Sequence, residues 1–97
     1  MKNYIAIHTF KSEALRVTYL DTVSQLSPED VVAAVTGPKA VCQMTWMGID
    51  GTDNAFCFWK AESPDAIIEQ LGDMNNFFDT SCHEMMDDYF DFSMMRS

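Results

Sequence analysis

The sequence predicts an α+β domain in which an antiparallel sheet carries its helices on one face. Three observations predict it. Strand-like and helix-like segments follow the order β, α, β, β, α, β. Two helix starts use one device, Ser27-Pro28-Glu29 and Ser63-Pro64-Asp65. The two middle strands flank a short turn built on Asp50-Gly51, the signal of a hairpin. At 97 residues the chain has room for one domain, 1–97.

The elements follow in order. Residues 3–10 are rich in aromatic and β-branched side chains. As a strand they put Tyr4, Ala6, His8 and Phe10 on one face and Ile5, Ile7 and Thr9 on the other. Both faces are apolar, so both are expected to be covered. Over residues 12–26, Leu15, Tyr19, Val23 and Leu26 recur at helical steps, although Val17, Thr18 and Thr22 are poor helix formers. Ser27 caps the next helix, Pro28 suits its first position, and Glu29 and Asp30 favour the positive end of its dipole. Gly37-Pro38 stops it. Residues 40–48 and 54–61 form the hairpin strands. Ala66, Ile67, Ile68 and Leu71 build the helix after Ser63. Residues 80–85 are the last strand candidate, before an acidic, aromatic tail.

This order is the split βαβ arrangement of ferredoxin-like folds. Helices on one face leave the other face bare, and here that face is also apolar. A chain of this size buries a thin core. A homodimer laid sheet to sheet is the simplest cover.

Six basic and fifteen acidic side chains give a net charge of −9. Without a basic footprint, neither nucleic acid nor an anionic membrane is an expected partner. The acids crowd the end: residues 61–97 hold nine of them against Arg96 alone. Asp87, Asp88 and Asp91 do not follow a calcium-loop spacing. No run of 18 apolar residues spans a membrane, and the apolar start is too short for a signal peptide. Three cysteines, Cys42, Cys57 and Cys82, are odd in number and form no Cys-x-x-Cys pair. A cytoplasmic protein is expected. Phosphate-loop, dinucleotide, zinc-protease and serine-hydrolase motifs are missing, so no cofactor is expected.

Hairpin geometry sorts the candidate site residues. If Gly48 pairs with Asn54, Met44 faces Phe58, Trp46 faces Phe56, Thr45 faces Cys57 and Gln43 faces Trp59. Cys42, Met44, Trp46, Phe56 and Phe58 then share one side. Gln43, Thr45, Met47, Cys57 and Trp59 share the other, and Cys42 and Cys57 point apart. His8 is a candidate general base, because imidazole titrates near neutrality. The alternative is a hydrogen-bonded strand histidine with no task. Cys82, His83 and Glu84 look like metal ligands, but on a strand His83 points away from the other two. No metal site is expected from them. Cys57 reads as a buried, inert thiol, since only Lys60 is a nearby cation.

The hairpin and the second Ser-Pro helix carry a resemblance. Val41-Cys42-Gln43-Met44-Thr45-Trp46, Ala55-Phe56-Cys57 and Glu62-Ser63-Pro64-Asp65-Ala66-Ile67 resemble small bacterial ferredoxin-like proteins of largely unknown function, some of which bind nickel. Ile5-Ala6-Ile7-His8 and Leu26-Ser27-Pro28-Glu29-Asp30 fit the same pattern. More broadly the chain is similar to dimeric α+β barrel proteins, which include small monooxygenases and isomerases. The resemblance implies that fold and a dimer, and makes residues 11–26 an insertion. It carries no metal ligand across: Met44 and residues 71–77 stand where nickel-binding members have histidines.

Eight methionines, seven phenylalanines, three tyrosines and two tryptophans suit an adaptable apolar pocket. They equally suit a thin core and a dimer seam. The leading expectation is a small hydrophobic or amphipathic ligand held by Tyr4, His8, Met44, Trp46, Phe58 and Trp59. The rival is a cofactor-free monooxygenase or isomerase with His8 as base and Trp46 or Trp59 stacked on an aromatic substrate. A third is a nickel-responsive binding protein.

Overall fold

The alternation in the strands decides the architecture, which a computed structural model describes for residues 1–96; Ser97, the end of the expected domain, lies outside them. β1 (Lys2–Phe10) buries Tyr4, Ala6, His8 and Phe10 and leaves Ile5 and Ile7 half-buried. It lies between β3 (Asn54–Ala61) and β4 (Phe78–Met85), with β2 (Ala40–Met47) on the outer edge of β3. All three pairings are antiparallel, in the order β2-β3-β1-β4. This is the α+β, ferredoxin-like split βαβ arrangement.

The helices cap as their sequences dictate. Ser27 Oγ accepts from the Asp30 N–H at the start of α2 (Pro28–Ala34), and Ser63 Oγ from the Ala66 N–H at the start of α3 (Pro64–Leu71). Gly72 ends α3 at φ 55°, a conformation that favours glycine. A short 3₁₀ turn (Gly72–Asn76) leads into β4. α3 places Ala66, Ile67 and Leu71 onto the sheet face formed by Tyr4, Ala6, Ala55, Cys57, Trp59 and Ala61. Trp59, Tyr4 and Ile67 are its largest fully buried side chains.

The first crossover contains two helices, α1 (Glu13–Ser24) and α2. Residues 11–26, read as an insertion, supply α1. Tyr19 packs on Phe10 at 5.4 Å and Phe78 at 5.6 Å between ring centres, as the helical stripe requires. The one buried α1 side chain is Arg16. Its guanidinium donates to the Gly48 carbonyl at 3.2 Å and meets Glu13 at 3.4 Å and Asp50 at 3.6 Å, tying α1 to the hairpin turn.

The hairpin departs from the expected register at one point. Met44 pairs with Phe58, Thr45 with Cys57 and Trp46 with Phe56, but Cys42, not Gln43, faces Trp59. A β-bulge at Gln43 absorbs one residue. One extra residue reverses the alternation beyond it, so Cys42 turns to the helix side and joins Cys57 there. The expectation that the two cysteines point apart is corrected by this bulge.

The face away from the helices carries Ile5, Ile7, Met44, Trp46, Phe56 and Phe58. Trp46 is 66% exposed there. After β4 the chain turns beneath this face, where Asn3 Nδ2 donates to the Met86 and Asp87 carbonyls. It ends in a short helix, α4 (Phe92–Met95), capped by Asp91. No helix among the described residues is long and apolar enough to cross a membrane.

Candidate functional site

The six expected ligand-binding residues divide between the two sheet faces. Tyr4, His8 and Trp59 lie under the helices, whereas Met44, Trp46 and Phe58 lie on the open face. The parity of β1 and β3 imposes this division, since neighbouring residues of a strand point oppositely. No single cavity holds all six.

On the open face, Met44, Trp46 and Phe58 do come together. With Asn3, Ile5, Met85, Met86, Tyr89 and Asp91 they line a groove of about 360 Å³. Its floor is the sheet and its far wall is the tail. Tyr89 is 76% exposed, so the tail shapes the groove without filling it. Asn3 and Asp91 are the polar groups of an otherwise apolar lining. Asp91 is committed in part: its carboxylate caps α4, and the Ser93 hydroxyl and Met94 N–H bonded to it hold its pKa below the usual carboxylate value.

Under the helices the space is small, about 30 Å³. That accommodates a water-sized group, not an aromatic substrate beside His8. The lining is chemically unusual. A polar row crosses all four strands: Thr80 on β4, His8 on β1, Cys57 on β3, and Thr45 and Cys42 on β2. Thr80 Oγ1 lies 2.7 Å from His8 Nδ1, and Cys57 Sγ lies 3.2 Å from His8 Nε2. Thr45 Oγ1 lies 3.1 Å from Cys57 Sγ and 3.5 Å from Cys42 Sγ. Cys57 and Cys42 thus share the Thr45 hydroxyl as a neighbour and line the same small space.

The electrostatics follow from burial and these contacts. Burial lowers the His8 pKa from 6.5 to about 4, so the imidazole is neutral at neutral pH. The hydrogen bond from Cys57 is the largest cause that brings Cys42 down to about 7; Thr45 and the Met44 backbone assist against burial. The same contact, and then burial, push Cys57 upward. One orphan donor borders the cavity. The Trp59 indole is fully buried and lines the same space as Cys57, yet its Nε1–H meets no acceptor among the described residues.

Of this row, the expected hairpin register placed only Thr45 beside Cys57. His8 and Cys57 are 49 positions apart, and Cys42 enters only through the bulge. The other readable signal was the parity that puts His8 on the helix-facing side of β1. Alternation puts His83 on the opposite face from Cys82 and Glu84, as expected: Cys82 is half-buried and His83 is exposed, bonded through Nε2 to Ser81 Oγ. Among the described residues no group of three or more histidine, cysteine or acidic side chains is arranged to hold a metal. Comparison with protein-family models finds no matching family, and comparisons with curated proteins and solved structures find no match.

Proposed function

We propose that the protein binds a small hydrophobic or amphipathic molecule on its open sheet face, as a homodimer whose second copy closes the groove. The observation that carries this reading is the groove of about 360 Å³ lined by Met44, Trp46, Phe58, Ile5 and Tyr89. Its size falls within the range of small-molecule sites, and methionine with aromatic walls adapts to ligands of varied shape. Asn3 and Asp91 give an amphipathic ligand a place for one polar group.

The dimer is supported by size and exposure. Eight-residue strands at about 3.3 Å per residue and four strands at about 4.8 Å spacing make a face of ~500 Å². Two such faces bury ~1,000 Å², the lower limit of a specific interface. Tyr89, Phe90 and Phe92 in the tail, all exposed, extend it. Such a cluster of apolar side chains on a net −9 chain is a contact surface, not ordinary solvent-facing surface.

The probe 1-anilinonaphthalene-8-sulfonate tests the groove. Saturable binding is expected, with quenching of the exposed Trp46 while buried Trp59 keeps its emission. Met44→Asp and Phe58→Asp are expected to abolish binding with unchanged circular dichroism. Binding that never saturates, or that survives both changes, overturns the groove. Sedimentation equilibrium tests the dimer: the wild-type chain should sediment as a dimer and Trp46→Arg as a monomer. A monomeric wild type overturns that part.

A further inference from the structure

The helix-side row contains two thiols on either side of one hydroxyl, Thr45 Oγ1, with a small cavity and an orphan donor, and the groove reading uses none of them. Cys42 sits on β2, an edge strand, and is half-buried, so a small reagent reaches it from the sheet edge. Cys57 is buried directly behind it. Thr80 Oγ1 meets His8 Nδ1, His8 Nε2 meets Cys57 Sγ, and Thr45 Oγ1 meets both Cys57 Sγ and Cys42 Sγ, while the Cys42 thiol donates to the Met44 carbonyl. A hydroxyl proton from Thr45 favours negative charge at Cys42, whereas the Met44 carbonyl, 3.5 Å from its sulfur, favours the thiol. The thiolate is the reactive form of cysteine.

The cavity restricts what can react there. Its volume of about 30 Å³, lined by Cys42, Cys57, Thr45, His8 and Trp59, admits a molecule of two oxygen atoms and little more. The Trp59 Nε1–H, which no protein acceptor meets among the described residues, is a donor for an oxygen placed beside Cys57. An acyl, glycosyl or aromatic substrate is too large. Hydrogen peroxide is of the right size and is open to attack by a thiolate.

We propose that Cys42 and Cys57 are a peroxide-reactive thiol pair that closes to a reversible disulfide beneath the helices. In the first step the Cys42 sulfur attacks one peroxide oxygen. An S–O bond forms and the O–O bond breaks. The sulfur loses two electrons, the peroxide gains them, and the departing hydroxide takes the thiol proton to leave as water. Cys42 becomes a sulfenic acid. In the second step the Cys57 sulfur attacks the Cys42 sulfur. An S–S bond forms, the S–O bond breaks, and the Cys57 proton leaves with the hydroxyl as a second water. Together, dithiol and peroxide give a disulfide and two waters. Two equivalents of a thiol reductant reverse it. The thiol pKa near 7 at Cys42 fits its role as the first attacker, because thiols that titrate near ambient pH are the most effective nucleophiles. Disulfide closure draws β2 towards β3 at the bulge, the one irregular point in their ladder.

The reduced full-length protein is treated with hydrogen peroxide, alkylated, and analysed by intact mass and peptide mapping. The expected result is the loss of two hydrogens, a Cys42–Cys57 linked peptide, an alkylated Cys82, and full recovery with dithiothreitol. Cys57→Ser should leave a Cys42 sulfenic acid that dimedone traps, and Cys42→Ser should leave Cys57 unoxidised. Thr45→Val, which keeps shape but removes a donor, should slow Cys42 oxidation by about tenfold, the loss of one hydrogen bond to a charged group. Thiols that stay reduced, a disulfide through Cys82, or a Cys42 sulfinic acid without the linked peptide each overturn the proposal. The site lies on the opposite face from the groove, so dye binding in the wild type neither supports nor refutes it.

Discussion

Protonating His8 is expected to destabilise the fold, by an amount the structure sets. Both ring nitrogens are engaged, Nδ1 with Thr80 and Nε2 with Cys57, and the Phe78 ring lies 4.4 Å away. No carboxylate among the described residues pairs with it. Burial therefore holds the folded pKa at about 4, below the unfolded 6.5. As pH falls, the unfolded chain takes up this proton first. The stability tied to the neutral imidazole is complete above 6.5 and is lost as pH falls towards 4. The full shift is worth about 3 kcal/mol, and from about pH 7.5 to about pH 4.5 the loss is about 2.5 kcal/mol. Against a total of about 5–15 kcal/mol for a domain this is large. Urea unfolding reads it as a midpoint lower by about 2 M, for a slope of about 1–1.5 kcal/mol/M. The chain's net charge of −9 shrinks as pH falls towards its isoelectric point of about 4.3, and relief of that repulsion works in the opposite sense. His8→Gln removes the imidazole while keeping that background. The wild type should lose about 2.5 kcal/mol more than His8→Gln over this interval. Equal losses, within about 0.5 kcal/mol, would refute the reasoning and place His8 as an ordinary imidazole.

Three further outcomes are expected. Ile67→Ala empties the centre of the α3 contact, where Ile67 is fully buried, and should cost about 2–5 kcal/mol in chemical denaturation. Arg16→Leu removes the donor to the Gly48 carbonyl and the pairing to Asp50; a loss of about 1–3 kcal/mol with faster amide exchange at the hairpin turn is expected, and unchanged exchange there would show the tether to be inert. Deleting Gln43 removes the residue absorbed by the bulge, so Cys42 and Met44 alternate regularly and Ala40 stays buried. Stability should fall by no more than about 1 kcal/mol and dibromobimane should still bridge Cys42 and Cys57; if Ala40 and Cys42 instead changed faces, bridging would disappear and several kcal/mol with it.

The readable parts of the sequence were those governed by local chemistry. Ser27 and Ser63, each before proline and an acid, satisfy free N–H groups three residues on, and both caps form as written. Parity in β1 separated His8 from Ile7 correctly, because one face is buried against helices and a slip would expose it. The hairpin register was legible from Asp50-Gly51 back to Met44. It failed beyond, since nothing in Cys42-Gln43-Met44 marks a bulge; the bulge depends on strand twist and on Ala40 reaching the core opposite Ala61. Arg16 was equally hidden. A cation in a helix stripe reads as solvent-facing, and its burial depends on a carbonyl 32 residues away. The site was less legible than the fold for the same reason. His8, Cys57, Thr45 and Thr80 meet through pairings between separate strands, each fixed only after the sheet exists.

One sheet then offers two unlike environments, and alternation keeps them independent. Phe58 and Trp59 are neighbours in the chain, yet one lines the open groove and the other the thiol cavity. A change of side chain at either position acts on one face, while a change of residue number in β2 or β3 acts on both. The two faces are also unequal in their need for a partner. The helix side closes with the chain's own α3 and Tyr19, leaving space for little more than water. The open side keeps Trp46 in solvent with only the tail beside it. Hydrophobic burial scales with area removed from water, so most of the stabilisation still available to this chain lies on that second face. A ligand or a second copy gains it; the tail alone does not, because its own aromatic side chains remain exposed.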